Sequence, residues 1–423
     1  MTSAVTGRKY VIRLKISYLS DLVFILYLGY PALVVAFQLL LRPLGLTSLA
    51  HWAALITVYL PLFVLAVHRK ISVPEFWGIL LMAALFFGLT LAFHPEYAPW
   101  YARAEYGVWD YVFRPDNGLY IYPMIRIIND PKRILRCIKI SSIPMYFYAV
   151  WLLRKAIERG YWIDTSNTGY EIHLSYNLSL GYTMLIFLLT FLYCALEERK
   201  LTDIIGAAVG MAIVLMAGSR GPILDIAIFI AIYILIKLNN SRKKWLLLET
   251  VIAIGVVIWR TYIYILNVLM NILNNIGVSS RFIQKMLDGE IADDSGRYVI
   301  WNAAVDMIRS NPFGYGAMGS RHVISQYIYV AHPHQIFLEI LIDFGVIAGS
   351  VIIILMAYHT IRLFTMKYVD DWKGVFLIFF ARACQLLISL TFWHSIGVWG
   401  TLAVGVCMAR EYRQRRGSYI YGK

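Results

Sequence analysis

The chain has 423 residues, of which 60% are hydrophobic and only 15% charged. A soluble globular chain carries about 25% charged and about 45–50% apolar residues, so an ordinary soluble, a disordered and a fibrous protein are all excluded. The formal net charge of +14, from 39 Lys+Arg against 25 Asp+Glu, has two readings: membrane topology or an anionic substrate.

A membrane-spanning helix needs about 20 apolar residues, and segments of that kind recur along the whole chain. The pattern predicts an all-α polytopic membrane protein of about twelve helices. They lie over 18–41, 47–67, 75–93, 112–128, 138–155, 175–196, 201–218, 222–238, 245–266, 334–361, 373–391 and 395–410. The fourth is interrupted by Arg114, Asp116, Asn117 and Arg126. The basic N-terminus runs straight into the first span with no small-residue cleavage site, so no removable signal peptide is expected.

Lys and Arg mark the cytoplasmic side of a polytopic chain. With Arg8, Lys9, Arg13 and Lys15 inside, so are Arg69–Lys70, Lys132–Arg133–Arg136–Lys139, Arg199–Lys200 and Arg242–Lys243–Lys244. Arg362, Lys367, Lys373 and the tail Arg410, Arg413, Arg415, Arg416 and Lys423 follow on that side. More than half of the 39 basic residues are thereby assigned to topology, and an even span count puts both termini in the cytoplasm. The chain divides into 1–266 (spans one to nine), 267–333 (a large extracytoplasmic loop with short helical patterns near Phe282–Leu287 and Tyr298–Ile308) and 334–423 (spans ten to twelve and the basic tail). A loop that long is usually functional or carries its own structure. Asn311-Pro312-Phe313-Gly314-Tyr315-Gly316 reads as a turn cluster. A smaller outer loop covers 156–174.

Topology leaves the outer charges unexplained. Arg220, in Ala217-Gly218-Ser219-Arg220-Gly221-Pro222, sits where Gly and Pro break the helices and free backbone N–H groups. It is either an anion site or an arginine snorkelling to the interface. Asp225 in span eight and Arg382 in span eleven are costly in lipid; they line a cavity, pair, or are structural. The large loop carries Arg281, Lys285, Arg297, Arg309 and Arg321, each of which also fits a solvated face. Arg297 stands apart, because Gly296 precedes it and Trp301 follows four residues on, placing a guanidinium and an indole on one helical face. Asp293-Asp294 lacks an Asp-x-Asp form and any His or Cys partner, so no metal is expected.

His332-Pro333-His334-Gln335 follows at the start of span ten, where Pro333 suits a helix start. That puts His334 in the first turn, either as a general base or as a structural interfacial histidine. Glu339 and Asp343, at i and i+4, share one face of that span and must point into the bundle. Tyr and Trp near the outer boundary (Trp100, Tyr101, Trp109, Tyr111, Tyr161, Trp162, Tyr315, Tyr327 and Tyr329) read as an interfacial belt or as stacking platforms for sugars. Cys137, Cys194, Cys384 and Cys407 form no CxxC pair and are expected to be free.

Arg220-Gly221-Pro222-Ile223-Leu224 fits an Arg-x-x-x-Leu pattern, and His334-Gln335, nine residues, then Gly345 fits His-(Asn/Ser/Gln)-x9-Gly. Both patterns, on either side of a large loop, resemble the bacterial O-antigen ligase family. That family shares a superfamily with O-antigen polymerases and protein O-oligosaccharyltransferases. One departure is Ala348, where the family pattern has Gly, Thr or Tyr. The resemblance implies a type C glycosyltransferase fold in the bacterial inner membrane with a periplasmic site. It also implies metal-independent, cofactor-free, inverting transfer of a glycan from undecaprenyl diphosphate to a sugar hydroxyl of lipid A–core oligosaccharide. The partners would be those two lipid-linked glycans and membrane lipid, with no nucleic acid. Arg220, Arg297, Arg321 and Arg281 would bind diphosphate, since arginine forks match its oxygens. His334 would be the base and Glu339 would assist it, with Gly221, His332 and Gln335 in support. A polymerase or protein O-oligosaccharyltransferase differs only in the acceptor. A twelve-span transporter or lipid flippase is the rival of another class; it would usually show repeated halves, and none is visible here.

Overall fold

A computed structural model of the chain describes residues 16–69, 73–165, 171–174, 176–240, 244–275, 280–289, 296–328 and 332–420. The basic residues 8–15, Lys70, Arg242–Lys243, Asp293–Asp294, Tyr329 and Lys423 lie outside the described residues. The helices are α1 (Ile16–Leu28), α2 (Tyr30–Leu41), α3 (Ala50–Arg69), α4 (Pro74–Phe93), α5 (Ala98–Tyr101), α6 (Ile121–Ile128) and α7 (Pro131–Arg159). After a short ribbon come α8 (Leu178–Glu198), α9 (Leu201–Met216), α10 (Arg220–Asn240), α11 (Lys244–Asn275), α12 (Arg281–Leu287), α13 (Arg297–Ser310) and α14 (Arg321–Ile324). The last three are α15 (Ile336–Thr365), α16 (Asp370–Ala383) and α17 (Ile396–Ile420).

Among the described residues five helices are long and apolar enough to cross a membrane, within α3, α4, α8, α10 and α15; α1 and α2, bent by 79° at Gly29, make a sixth if they count as one span. A helix lies over every other expected span; α7, α9, α16 and α17 are shorter or carry more charge, while α11 runs 32 residues. The fourth is the clearest departure. Only α6, eight residues long, is regular there. Its charges are met inside the protein: Arg126 reaches Glu75 of α4 at 3.4 Å and the Cys407 sulfur of α17 at 3.2 Å. Arg114 binds Asp116 at 2.6 Å and also pairs with Asp110.

Two helices run past their expected limits. The Asp130 carboxylate accepts the Arg133 N–H and Pro131 opens α7, so that helix starts seven residues before 138. This suits the first helical turn, where proline loses nothing. The extra turns bring Arg133 and Arg136 onto Asp21 of α1 at 2.6 and 2.7 Å. Helix α11 continues to Asn275, into the segment assigned to the loop. The smaller loop, 156–174, carries a feature outside an all-α reading: β1 (Trp162–Thr165) pairs antiparallel with β2 (Glu171–Leu174), Trp162 opposite Leu174.

Of these five α8 is the most buried, with 67% of its span inside against 22–28% for the other four. Small residues let α9 approach it: a Cβ at Gly206 would meet the Phe191 ring at 2.5 Å, and one at Gly210 the Leu188 side chain at 3.1 Å. Lipid supplies no hydrophobic drive between helices, so such close packing carries the association.

Candidate functional site

The site is organised by a break in α15. Gly345 has φ 77° and ψ 169°, outside any helix. The turn cluster 311–316 docks on that break. The Tyr315 N–H donates to the Ile342 carbonyl at 2.7 Å and the Gly316 N–H to the Asp343 carbonyl at 3.1 Å. In return the Val346 N–H donates to the Pro312 carbonyl at 2.8 Å. Every backbone group in an apolar setting needs a partner, and irregular chain is tolerated there only when buried in protein. A Cβ on Gly345 would lie 2.5 Å from the Phe313 carbonyl group, and one on Gly314 2.5 Å from the Gly345 nitrogen. Helix α4 holds the next residues, since Thr90 Oγ1 accepts the Ala317 N–H at 2.9 Å.

On one side of the break lie His332 to Gln335. His334 is not in the first turn of span ten. It stands two residues before α15 in the left-handed region, at φ 55°. Gln335 is the cap, its side-chain oxygen accepting the Leu338 N–H at 2.6 Å. The His332 and His334 rings are 4.2 Å apart between centroids. Trp301 of α13 donates its indole N–H to the Pro333 carbonyl at 3.1 Å. Arg297 lies one turn earlier on α13, and its charge acts on His334. Burial pushes the His334 imidazole down to about 4, and Arg297 adds to that.

Beneath the histidines is a buried charged cluster. Arg321 is 2% exposed, and none of its three guanidinium nitrogens has a hydrogen-bond partner among the described residues. Its carbon lies 5.1 Å from the centre of the Tyr111 ring. Burial lowers its pKa, opposed by Tyr111, Glu339 and Asp343. Both carboxylates are 3% exposed, so their shared face does point inward. Glu339 accepts a bond from the Thr391 hydroxyl and one from the Phe392 N–H at 3.4 Å. Asp343 accepts the Met318 N–H at 3.3 Å, and its other oxygen has no partner among the described residues. Tyr111 meets His332 and His394 edge-on, at 6.1 and 5.2 Å. At 5% exposure it belongs to this cluster and not to an interfacial belt.

The second wing is the start of α10. Gly218 (φ 71°) turns the chain, Ser219 is buried, and Arg220 opens the helix. A Cβ on Gly221 would strike the Tyr182 hydroxyl at 1.8 Å, so only glycine fits against α8 there. Arg382 lies over the Tyr182 ring at 5.1 Å and acts on Asp225, which is fully buried. These two costly charges therefore share one cluster. Arg297 acts electrostatically on Tyr182 as well as on His334. Its charge is therefore felt in both wings. The backbone of Ser280, just before Arg281, is anchored by its side chain to the Leu215 carbonyl of α9 at 3.0 Å. Arg281 opens α12 and is described through its backbone alone.

The sequence offered no role for Tyr182, Thr391 or His394. Each is an ordinary residue in its own segment, and only the packing of α8 and the 391–395 turn makes it a neighbour of charge. The free state of Cys137, Cys194, Cys384 and Cys407 is as expected.

Compared with known sequences, residues 205–353 match the family described as O-antigen ligase. The match takes in α10, the large loop and the first half of α15, and the resemblance to that family holds over this stretch. No curated protein and no solved structure matches the chain.

Proposed function

We propose that this multi-pass, O-antigen-ligase-type membrane protein transfers a glycan from undecaprenyl diphosphate to a sugar hydroxyl of lipid A–core oligosaccharide. On this reading it has about twelve spans, lies in the bacterial inner membrane with both termini in the cytoplasm, and works on the periplasmic side with residues 267–333 outside. The observation that supports the chemistry best is the position of Arg297, within electrostatic reach of His334 on one side and of Tyr182, against Gly221, on the other.

The donor carries its own leaving group. His334, kept neutral, takes the proton from the acceptor hydroxyl; the oxygen attacks the anomeric carbon from the face opposite the diphosphate. The bond from that carbon to the diphosphate oxygen breaks, the configuration inverts, and the diphosphate leaves on its lipid. Charge grows on the departing oxygen as this happens. Arg220, Arg297 and Arg321, with Arg281 behind them, are the groups to meet it, and preorganised donors of this kind are usually the largest catalytic contribution. Arg321 is suited to this because its fork has no acceptor among the described residues. Glu339 orients the acceptor or the base, Gln335 fixes the start of α15, Gly221 permits the close approach of Tyr182, and His332 packs against His334.

Ala348, in place of the family's Gly, Thr or Tyr, favours keeping one second reading: a polymerase of the same superfamily. The purified chain, given lipid-linked glycan and lipid A–core, distinguishes them. Transfer to the core that His334→Ala abolishes supports the ligase. Polymer growing on the carrier with no product on the core favours the polymerase, and normal transfer by His334→Ala removes the mechanism.

A further inference from the structure

Helices α15, α16 and α17 also enclose a partly open groove of about 980 Å³. Ile336 and Phe337 line one part of it, and the second half of α15, from Ile352 on, lines the rest. Leu355, Leu363, Leu402 and Val406 give it an apolar wall. At the far end of α15 it meets a second, polar pocket of about 500 Å³, the two sharing Arg362, Met366, Tyr412 and Arg416. Lys367 lines the polar pocket and Arg413 the end of the groove. Among the described residues no ion pair involves Arg362, Lys367, Arg413 or Arg416, whereas their neighbours Arg410 and Arg415 pair with Glu75 and Glu411.

We infer that this composite pocket binds an anionic glycerophospholipid of the leaflet opposite the transfer site, its phosphate on Arg362 and Arg416 and an acyl chain in the groove. Four uncompensated cations at the mouth of an apolar channel match a headgroup of net negative charge joined to hydrocarbon. A zwitterionic headgroup brings an ammonium that these cations repel. Arginine forks hold phosphate oxygens in pairs, which a diffuse surface attraction does not. Juxtamembrane Lys and Arg attract anionic lipid by themselves; the apolar groove adds a place for the chain and so a specific seat. The headgroup seat is separate from the diphosphate chemistry: Arg362 lies at the other end of α15 from the histidines, although the groove itself reaches Ile336.

The test uses the full-length protein in nanodiscs of phosphatidylcholine alone or of an equimolar mixture with phosphatidylglycerol, followed by mild extraction and mass spectrometry of retained lipid. Phosphatidylglycerol should stay bound in preference to phosphatidylcholine. Retention should fall by about 5-fold for each cation removed in Arg362→Gln and Arg416→Gln. Lys132→Gln, an exposed cation at the start of α7, should change nothing. Leu402→Trp, which fills the groove and leaves the charge alone, should also lower retention. Equal retention of both lipids, equal retention by wild type and the Arg362→Gln/Arg416→Gln protein, or recovery of polyprenyl diphosphate in the glycerophospholipid's place would each overturn the proposal.

Discussion

The indole N–H of Trp301 donates to the carbonyl of Pro333 at 3.1 Å. This single bond ties α13, and with it Arg297, to the residue before His334. Trp301→Phe keeps a ring of similar shape and removes the donor. A hydrogen bond contributes about 0.5–1.5 kcal/mol net, so turnover should fall by about 2–12-fold through loosened positioning. The protein should still insert and fold, losing no more than about 0.5–1.5 kcal/mol of stability. A rate unchanged within error would mean that the bond only decorates the loop.

Gly345 is held at φ 77° with the Phe313 carbonyl group 2.5 Å from where a Cβ would be. Gly345→Ala forces alanine into a positive-φ, extended conformation essentially reserved for glycine, costing about 1–3 kcal/mol, and adds a clash that pushes the 311–316 turn off α15. Three backbone hydrogen bonds join the turn to the break. Limited proteolysis should therefore cut the variant at that turn faster than wild type, with transfer activity reduced in parallel. Equal protection of the two proteins would show that the turn docks by other contacts.

The helices were legible because lipid demands long apolar runs, and α4, α8, α10 and α15 announce themselves. Helix ends were less so. Asp130 extends α7 through a cap that hydropathy does not register, and α11 overruns 266 because its outer turns are still amphipathic enough to pack on α12. Within the site, the arginines and His334 were visible as charges that topology did not explain. The inward face of Glu339 and Asp343 followed from their spacing alone. What could not be read was the break at Gly345, since a lone glycine in an apolar run is usually tolerated. The position of His334 before the helix is hidden for a related reason: glutamine is not a usual cap, and Pro333 is the residue that looks like a helix start. Tyr182 and Thr391 matter through tertiary contact, which no local pattern carries.

Arg321 tests whether a fork or merely a charge is needed. Lysine would keep the positive charge beside Glu339 and Asp343 but present one point donor. Removal of a charge-stabilising donor costs about 10²–10³-fold in kcat. Arg321→Lys should fall in that range while the protein remains folded, because the local charge balance survives. Near-normal turnover by the lysine protein would assign Arg321 to structure.

Glu339→Gln separates charge from hydrogen bonding. The glutamine oxygen can still accept from Thr391, so the turn at 391–395 should stay in place. If the carboxylate orients the acceptor or the base, kcat drops by about 10²-fold, at the low end of acid–base contributions, and the donor KM is unchanged or lower. A raised donor KM with kcat intact would instead place Glu339 in the support of Arg321.

His334 supplies the pH test, and its sign follows from the direction of its shift. An imidazole ordinarily titrates near 6.5; burial, then Arg297, brings this one to about 4. The base is therefore neutral throughout the physiological range, and the acid limb of kcat/KM should fall near 4 and not near 6.5. Arg297→Gln removes the smaller of the two causes, so the limb should move upward only part of the way, alongside any loss of turnover. Stability carries the same signature. Above about 6.5 folded and unfolded chains both hold a neutral ring, and the group contributes no pH dependence. As pH falls from there toward 4 the unfolded chain takes up a proton that the folded one refuses, so stability drops with a one-proton slope and levels off once the folded ring is also charged. Thermal unfolding of wild type against His334→Ala across that window isolates the effect: the two midpoints should draw apart as the pH is lowered, with wild type losing more. An acid limb at 6.5 in the wild-type protein would mean an imidazole that is solvated, and would remove the case for a base held neutral by its surroundings.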